Sequence, residues 1–195
     1  MLNDIFLRVK NVTTKYISLV IITLILFSIS AILGLFLIGT SQIIQSFEDI
    51  CLNYINKIIC SDFNAISFLF SNIFSLSLTF VIFSFLPTNK YTFYITLIIV
   101  VYNGYLFGVF LNIFIFKFAL AGIITFIFTI FIRYAFFLIA TILFLIFSKY
   151  IIDKNCNKLK NLFKIALYSY IIAIIGIILE VIMIITLLRP TNLCF

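Results

Sequence analysis

Two ionisable residues stand deep inside apolar runs: Arg133, in "IFIRYAFF" (130–137), and Glu180, in "AIIGIILEVIMI" (173–184). The chemistry of each depends on the other. A central arginine in hydrocarbon costs about 2.5–3.5 kcal/mol on insertion scales, so it calls for a partner or a water pocket. A carboxyl at that depth has the same need. Glu180 lies about four residues outward of the centre of its run, roughly 5 Å along a helix axis, and an arginine side chain can bridge that offset. An Arg133–Glu180 pair that fixes the packing of two neighbouring helices is the favoured reading; the rival is a proton or ion path through Glu180.

Small and amide side chains supply a second kind of chemistry. Gly104-x-x-x-Gly108, in "VYNGYLFG" (101–108), puts two bare positions on one helix face, where another backbone can approach closely. Asn103 is expected to hydrogen-bond across that contact, because an amide left unpaired in lipid is costly. Asn72, with Ser71, Ser75 and Ser77 in "FLFSNIFSLSL" (68–78), forms another polar patch. Ser75, Ser77 and Thr79 are expected to share a face turned toward the bundle interior.

The composition excludes much else. The chain has no histidine and no tryptophan, which removes histidine-based zinc sites and Ser–His dyads. No glycine-rich phosphate loop occurs, and no paired carboxylates lie in the apolar runs. Cys51, Cys60, Cys156 and Cys194 read as inert thiols rather than a disulfide framework, and a bridge is conceivable only between Cys51 and Cys60. The expectation is a non-enzymatic protein with no cofactor and no metal.

The elements that position these residues follow from composition. The 195 residues are 65% hydrophobic and 10% charged, with a mean hydropathy of +1.34. A soluble domain of this size buries only about 70% of the surface its chain exposes, too little to hide so much apolar area. The fold class is therefore all-α, a polytopic bundle of transmembrane helices forming one domain. Spans are expected at 17–39, 67–86, 91–116, 118–148 and 165–188. The fourth region is long at 31 residues, about 46 Å as one helix, so it must tilt or break, and a break would make six spans. The first run is longer than a signal-peptide core and ends without a small-x-small cleavage site, so it reads as a retained span.

Charge sets the orientation. The net charge of +7 gathers at the span edges, where anionic lipid headgroups rather than nucleic acid are the expected counterions. Arg8, Lys10 and Lys15 precede the first span, and Lys149, Lys154, Lys158, Lys160 and Lys164 fill the 149–164 connection. The 40–66 connection instead carries Glu48, Asp49 and Asp62 against Lys57. Five spans and the positive-inside rule place the N-terminus, Lys90 and 149–164 in the cytoplasm, and the acidic loop, Lys117 and the C-terminus outside the cell. Two connections read as amphipathic. In 41–60 the residues Ile43, Phe47, Cys51, Tyr54, Ile55 and Ile58 recur at helical spacing, a stripe suited to resting on lipid or on the bundle, or to docking a partner. The basic segment 149–164 reads as a juxtamembrane lipid-contact helix.

With these residues in hand, the chain resembles the stage II sporulation protein M family, the DUF95-type integral membrane proteins. The resemblance runs from about Lys15 onward. It is carried by "FLFSNIFSLSL" with Asn72, by "VYNGYLFG" with Asn103, Gly104 and Gly108, and by "AIIGIILEVIMI" with Glu180. Two features depart from the family pattern: a His-Gly-x-x-Glu phrase of the fourth region is absent, and Pro190 falls ten residues after Glu180 rather than about five. The resemblance implies a membrane scaffold that anchors membrane or cell-wall-associated proteins; a second copy of the chain is a further candidate partner. The alternative is a transporter subunit in which Glu180, Arg133, Asn103 and Asn72 line a pathway. A polar cavity joining those residues favours transport; a dry interior with Arg133 bonded to Glu180 favours scaffolding.

Overall fold

The computed structural model describes residues 14–36, 49–54, 58, 63–85, 90–154 and 158–188. The remaining cysteines, Cys60, Cys156 and Cys194, lie outside these residues, as do most of the 41–60 stripe and Pro190. The helices are α1 (Ile17–Phe36), α2 (Ala65–Phe85), α3 (Lys90–Phe126), α4 (Ile132–Lys154) and α5 (Lys158–Met183). A π-helical segment, Ile127–Phe131, joins α3 to α4, and a second, Ile184–Leu188, extends α5. No strand occurs among the described residues.

Four helical runs are long and apolar enough to cross a membrane, and they make the chain a multi-pass membrane protein: Ile17–Phe36, Ala65–Ile82, Phe93–Asp153 and Lys160–Leu188. The large side chains on their surfaces face outward, with Phe116 80% and Phe36 77% exposed. Water would not tolerate such a surface; hydrocarbon does. The residues α1 turns inward, by contrast, are Thr23, Ser30 and Gly34. That inside-out pattern is what helices need in lipid, where small residues permit close approach.

The run Phe93–Asp153 is not one rod. Lys149 Nζ lies 5.8 Å from the centre of the Phe93 ring. A straight helix would separate those residues by about 84 Å. The chain reverses at Ala119, whose φ of 48° and ψ of −131° interrupt α3. Gly122 makes the reversal compact: a Cβ there would lie 2.1 Å from the Phe114 carbonyl oxygen. Two arms result, so the described residues form five helical arms. The region 118–148 has its break at its start. Beyond its first residues it is one continuous arm, relieved by the π-helical segment.

The arms partner unequally. α1 packs chiefly on α3, α4 on α5, and α2 on α5 rather than on α3. Asn64 opens α2 as its N-cap, its Oδ1 accepting from the backbone N–H groups of Ile66 and Ser67 at 3.1 Å each. The basic connection is not a separate surface helix, because α4 continues to Lys154 and α5 begins at Lys158. Ile152 and Leu162 are buried there, whereas Phe163 is exposed. Helical hydrogen bonding carries both spans past the ends of their apolar stretches, since their lysines can stand in the interfacial region.

Candidate functional site

The cluster forms where α2, α4 and α5 meet. Arg133 stands two residues after the end of the first π-helical segment, and Glu180 precedes the other one by four residues. Arg133 Nη1 donates to Asn72 Oδ1 at 3.1 Å and lies 3.7 Å from Glu180 Oε2. Glu180 is fully buried, while the Arg133 side chain is 25% exposed. Tyr54 reaches in from outside the long helices and donates its hydroxyl hydrogen to Glu180 Oε1. Oε2 has no hydrogen bond and depends on the ion pair alone. The guanidinium therefore bridges an amide on α2 and a carboxylate on α5, and three helices are held at one point.

Asn103 is near this cluster but bonds differently from expectation. Its Nδ2 donates to the Ile99 carbonyl of its own helix at 2.8 Å. It does not cross the glycine contact, because it faces a cavity on the opposite side of α3. The residue that does cross is Asn112, whose Nδ2 donates to the Leu35 carbonyl at 2.7 Å. That carbonyl belongs to α1, so the bond ties the two helices directly. Residues 104, 108 and 112 share a helix face at intervals of four, a signal the sequence held and the Gly-x-x-x-Gly pattern obscured.

Gly104 and Gly108 meet α1 directly. A Cβ at Gly108 would lie 1.9 Å from the Ala31 carbonyl oxygen, and one at Gly104 would lie 2.6 Å from that of Phe27. From the other side, a Cβ at Gly34 would lie 2.2 Å from the Tyr105 carbonyl oxygen. The two backbones thus touch, and the glycines serve contact within the chain.

The amphipathic stripe is used in the same way. Cys51 and Ile58 are buried in a core cluster with Phe68, Ile113, Phe114 and Val181, and Tyr54 packs against that cluster. Of the coverings open to the stripe, its described residues take the bundle itself. Nothing in the sequence singled out Tyr54 beyond its hydroxyl within an apolar stripe.

The cavity measures about 230 Å³ and is lined by Asn72, Ser75, Thr79, Asn103 and Arg133 on its polar side. Leu76, Tyr134, Phe137, Ala173 and Ile177 complete its wall. Ser77 is not on this face. It borders a different, apolar recess with Phe80 and Tyr170. At about 100° per residue, Ser77 points some 200° away from Ser75, so the three hydroxyls cannot share one side. Glu180 does not line the cavity either; it stands behind Arg133.

The opposite end of the bundle is tied separately. Tyr16 donates to Asp153 Oδ2 at 2.8 Å, and Lys149 Nζ lies 3.5 Å from Asp153 Oδ1. Burial, and after it the Asp153 carboxylate, pushes the Tyr16 phenol up to about 12. This tie places the start of α1 and the end of α4 at one end, with Lys15, Lys160 and Lys164 nearby in the chain. The Ala119 reversal lies at the other end.

Fold and site together define a class: a multi-pass helical membrane bundle with an ion-paired polar cluster in its interior. Comparison with protein-family models, with curated proteins and with solved structures returns no match.

Proposed function

We propose that this chain is a non-enzymatic membrane scaffold of the stage II sporulation protein M type, holding partner proteins at the cell membrane. One observation carries the reading. The three sequence phrases behind the resemblance converge: Asn72 and Glu180 both engage Arg133, and Asn103 borders the same cavity. Such convergence supports a shared architecture, and the cluster's main effect is to fix helix positions. By the positive-inside rule, the end bearing Lys15, Lys149, Lys160 and Lys164 is cytoplasmic, and residues 49–54 face outward. The glycine face and the buried stripe serve the chain's own packing. Partner contact therefore falls to the exposed side of residues 49–54, where Ile50 and Leu52 stand out from the bundle. Crosslinking in native membranes, mild-detergent capture and mass spectrometry test this. Repeated co-recovery of defined membrane or wall-associated proteins is expected, and recovery of the chain alone removes the reading.

A second reading, a substrate-binding membrane component of a transporter, is favoured by the cavity that joins Asn72, Asn103 and Arg133. Against it stands Glu180, which is paired and shut off from that cavity.

A further inference from the structure

A partly exposed guanidinium beside a half-open cavity is an unusual feature for a packing device. Arginine has five N–H donors in a planar fork. Among the described residues its hydrogen bond and ion pair use Nη1 alone, with Asn72 and Glu180, while the guanidinium carbon also lies 5.8 Å from the centre of the Tyr134 ring. The side chain remains 25% exposed at membrane depth, whereas its carboxylate partner is sealed at 0%. Donors in that position call for acceptors, and the planar fork matches carboxylate or phosphate oxygens best.

The cavity's shape narrows the choice. Its lining mixes polar side chains (Asn72, Ser75, Asn103 and Arg133) with apolar ones (Leu76, Phe137 and Ile177). It lies among α2, α3, α4 and α5, and of these α2 and α3 do not pack closely on each other. Its volume of about 230 Å³ suits a headgroup rather than a whole lipid. A ligand with a polar head and an apolar chain matches this mixed lining. Tyr54 holds Glu180 from behind, so an entering acid shares Arg133 with a carboxylate that is already bonded.

We propose that this cavity binds an acidic amphiphile, its carboxylate or phosphate oxygens on Arg133 and its apolar chain leaving between α2 and α3. The site rests on the cavity and not on the scaffold role, so failure of partner capture leaves it standing.

The test is thermal unfolding of the whole chain in a neutral detergent. The probes are oleate, phosphatidylglycerol and inorganic phosphate, with methyl oleate as the neutral control. An acid-specific rise in Tm of about 5 °C at saturation is expected for oleate or phosphatidylglycerol. Which of the two acts distinguishes a fatty acid from a lipid headgroup. Ser75→Phe fills the cavity without touching the ion pair, and Arg133→Gln with Glu180→Gln removes the donor while keeping charge balance; both are expected to abolish the rise. An equal rise with methyl oleate overturns the proposal, as does a rise that survives in both variants or the lack of any acid-specific rise. A rise with inorganic phosphate alone overturns the amphiphile assignment.

Discussion

Arg133 Nη1 stands between Asn72 Oδ1, at 3.1 Å, and Glu180 Oε2, at 3.7 Å. One cation thereby ties α2 to α4 and α5 in a medium that offers neither charge another solvent. Removing one partner of a buried pair leaves the other uncompensated, which costs about 3–5 kcal/mol in soluble proteins. Glu180→Gln and Arg133→Gln are each expected to destabilise by about 2–4 kcal/mol. The double variant should be more stable than Glu180→Gln, since it strands no charge. Unfolding in mixed micelles measures all three, and a double variant no better than either single one would show that the two are not partners.

The α1–α3 contact predicts a graded glycine series. At Gly108 the obstructing atom is backbone, the Ala31 carbonyl oxygen at 1.9 Å, so the helices must separate to admit a methyl group. At Gly176 the nearest obstacle is Phe136 Cβ, at 2.6 Å, a shallower overlap that a small helix adjustment relieves. Gly108→Ala should therefore cost about 2–3 kcal/mol and Gly176→Ala about 1 kcal/mol, on the scale of overpacked cores. Comparable losses would argue that α1 and α3 are not held by backbone proximity.

Asn112 rather than Asn103 should carry the cross-helix hydrogen bond. Asn112→Leu strands the Leu35 carbonyl and is expected to cost about 1–2 kcal/mol. Asn103→Leu gives up only a bond to its own helix and should cost less than half as much. Parallel thermal unfolding of the two variants decides it, and the reverse order would contradict the observed pairing.

Ala119 adopts φ 48° without being glycine. Left-handed backbone of this kind costs an L-residue about 1–3 kcal/mol, and glycine is largely spared. Ala119→Gly should raise stability by about 1 kcal/mol, seen as a higher midpoint in detergent unfolding. A loss of stability would mean that the reversal is built differently.

Tyr16 gives the fold an alkaline limit. Its phenol, pushed up to about 12 in the folded state, binds its proton more tightly there than in the unfolded chain. The stabilisation is therefore fully present below pH ~10 and is lost as pH rises from ~10 through ~12. Phenolate absorbance should show one fewer late-titrating group in Tyr16→Phe than in the parent chain. The variant's stability should also fall less steeply across that window.

How far the sequence foretold the site differs residue by residue. Arg133 and Glu180 were legible because charge within an apolar run is rare and must be answered nearby. Gly104 and Gly108 were legible as a contact face, but their partner was not. Asn103 and Asn112 look alike in the sequence, and only the direction of each helix face separates them. Ser77 was misplaced because proximity in the chain is not proximity on a helix. The stripe through Cys51 and Tyr54 was recognisable as amphipathic, yet whether lipid, a partner or the bundle covers it depends on what stands opposite.

By itself the sequence determined that this chain resides in lipid as helices with a few interior polar groups. Span length, apolarity and isolated charges are local quantities, and the bilayer reads them locally. The tertiary structure alone decided which helices touch, where the 61-residue run Phe93–Asp153 turns back, and that Tyr54 closes over Glu180. Between helices in hydrocarbon, apolar surface no longer discriminates one neighbour from another. Backbone fit at glycine and a few directed hydrogen bonds make that choice, and both exist only once the faces are brought together.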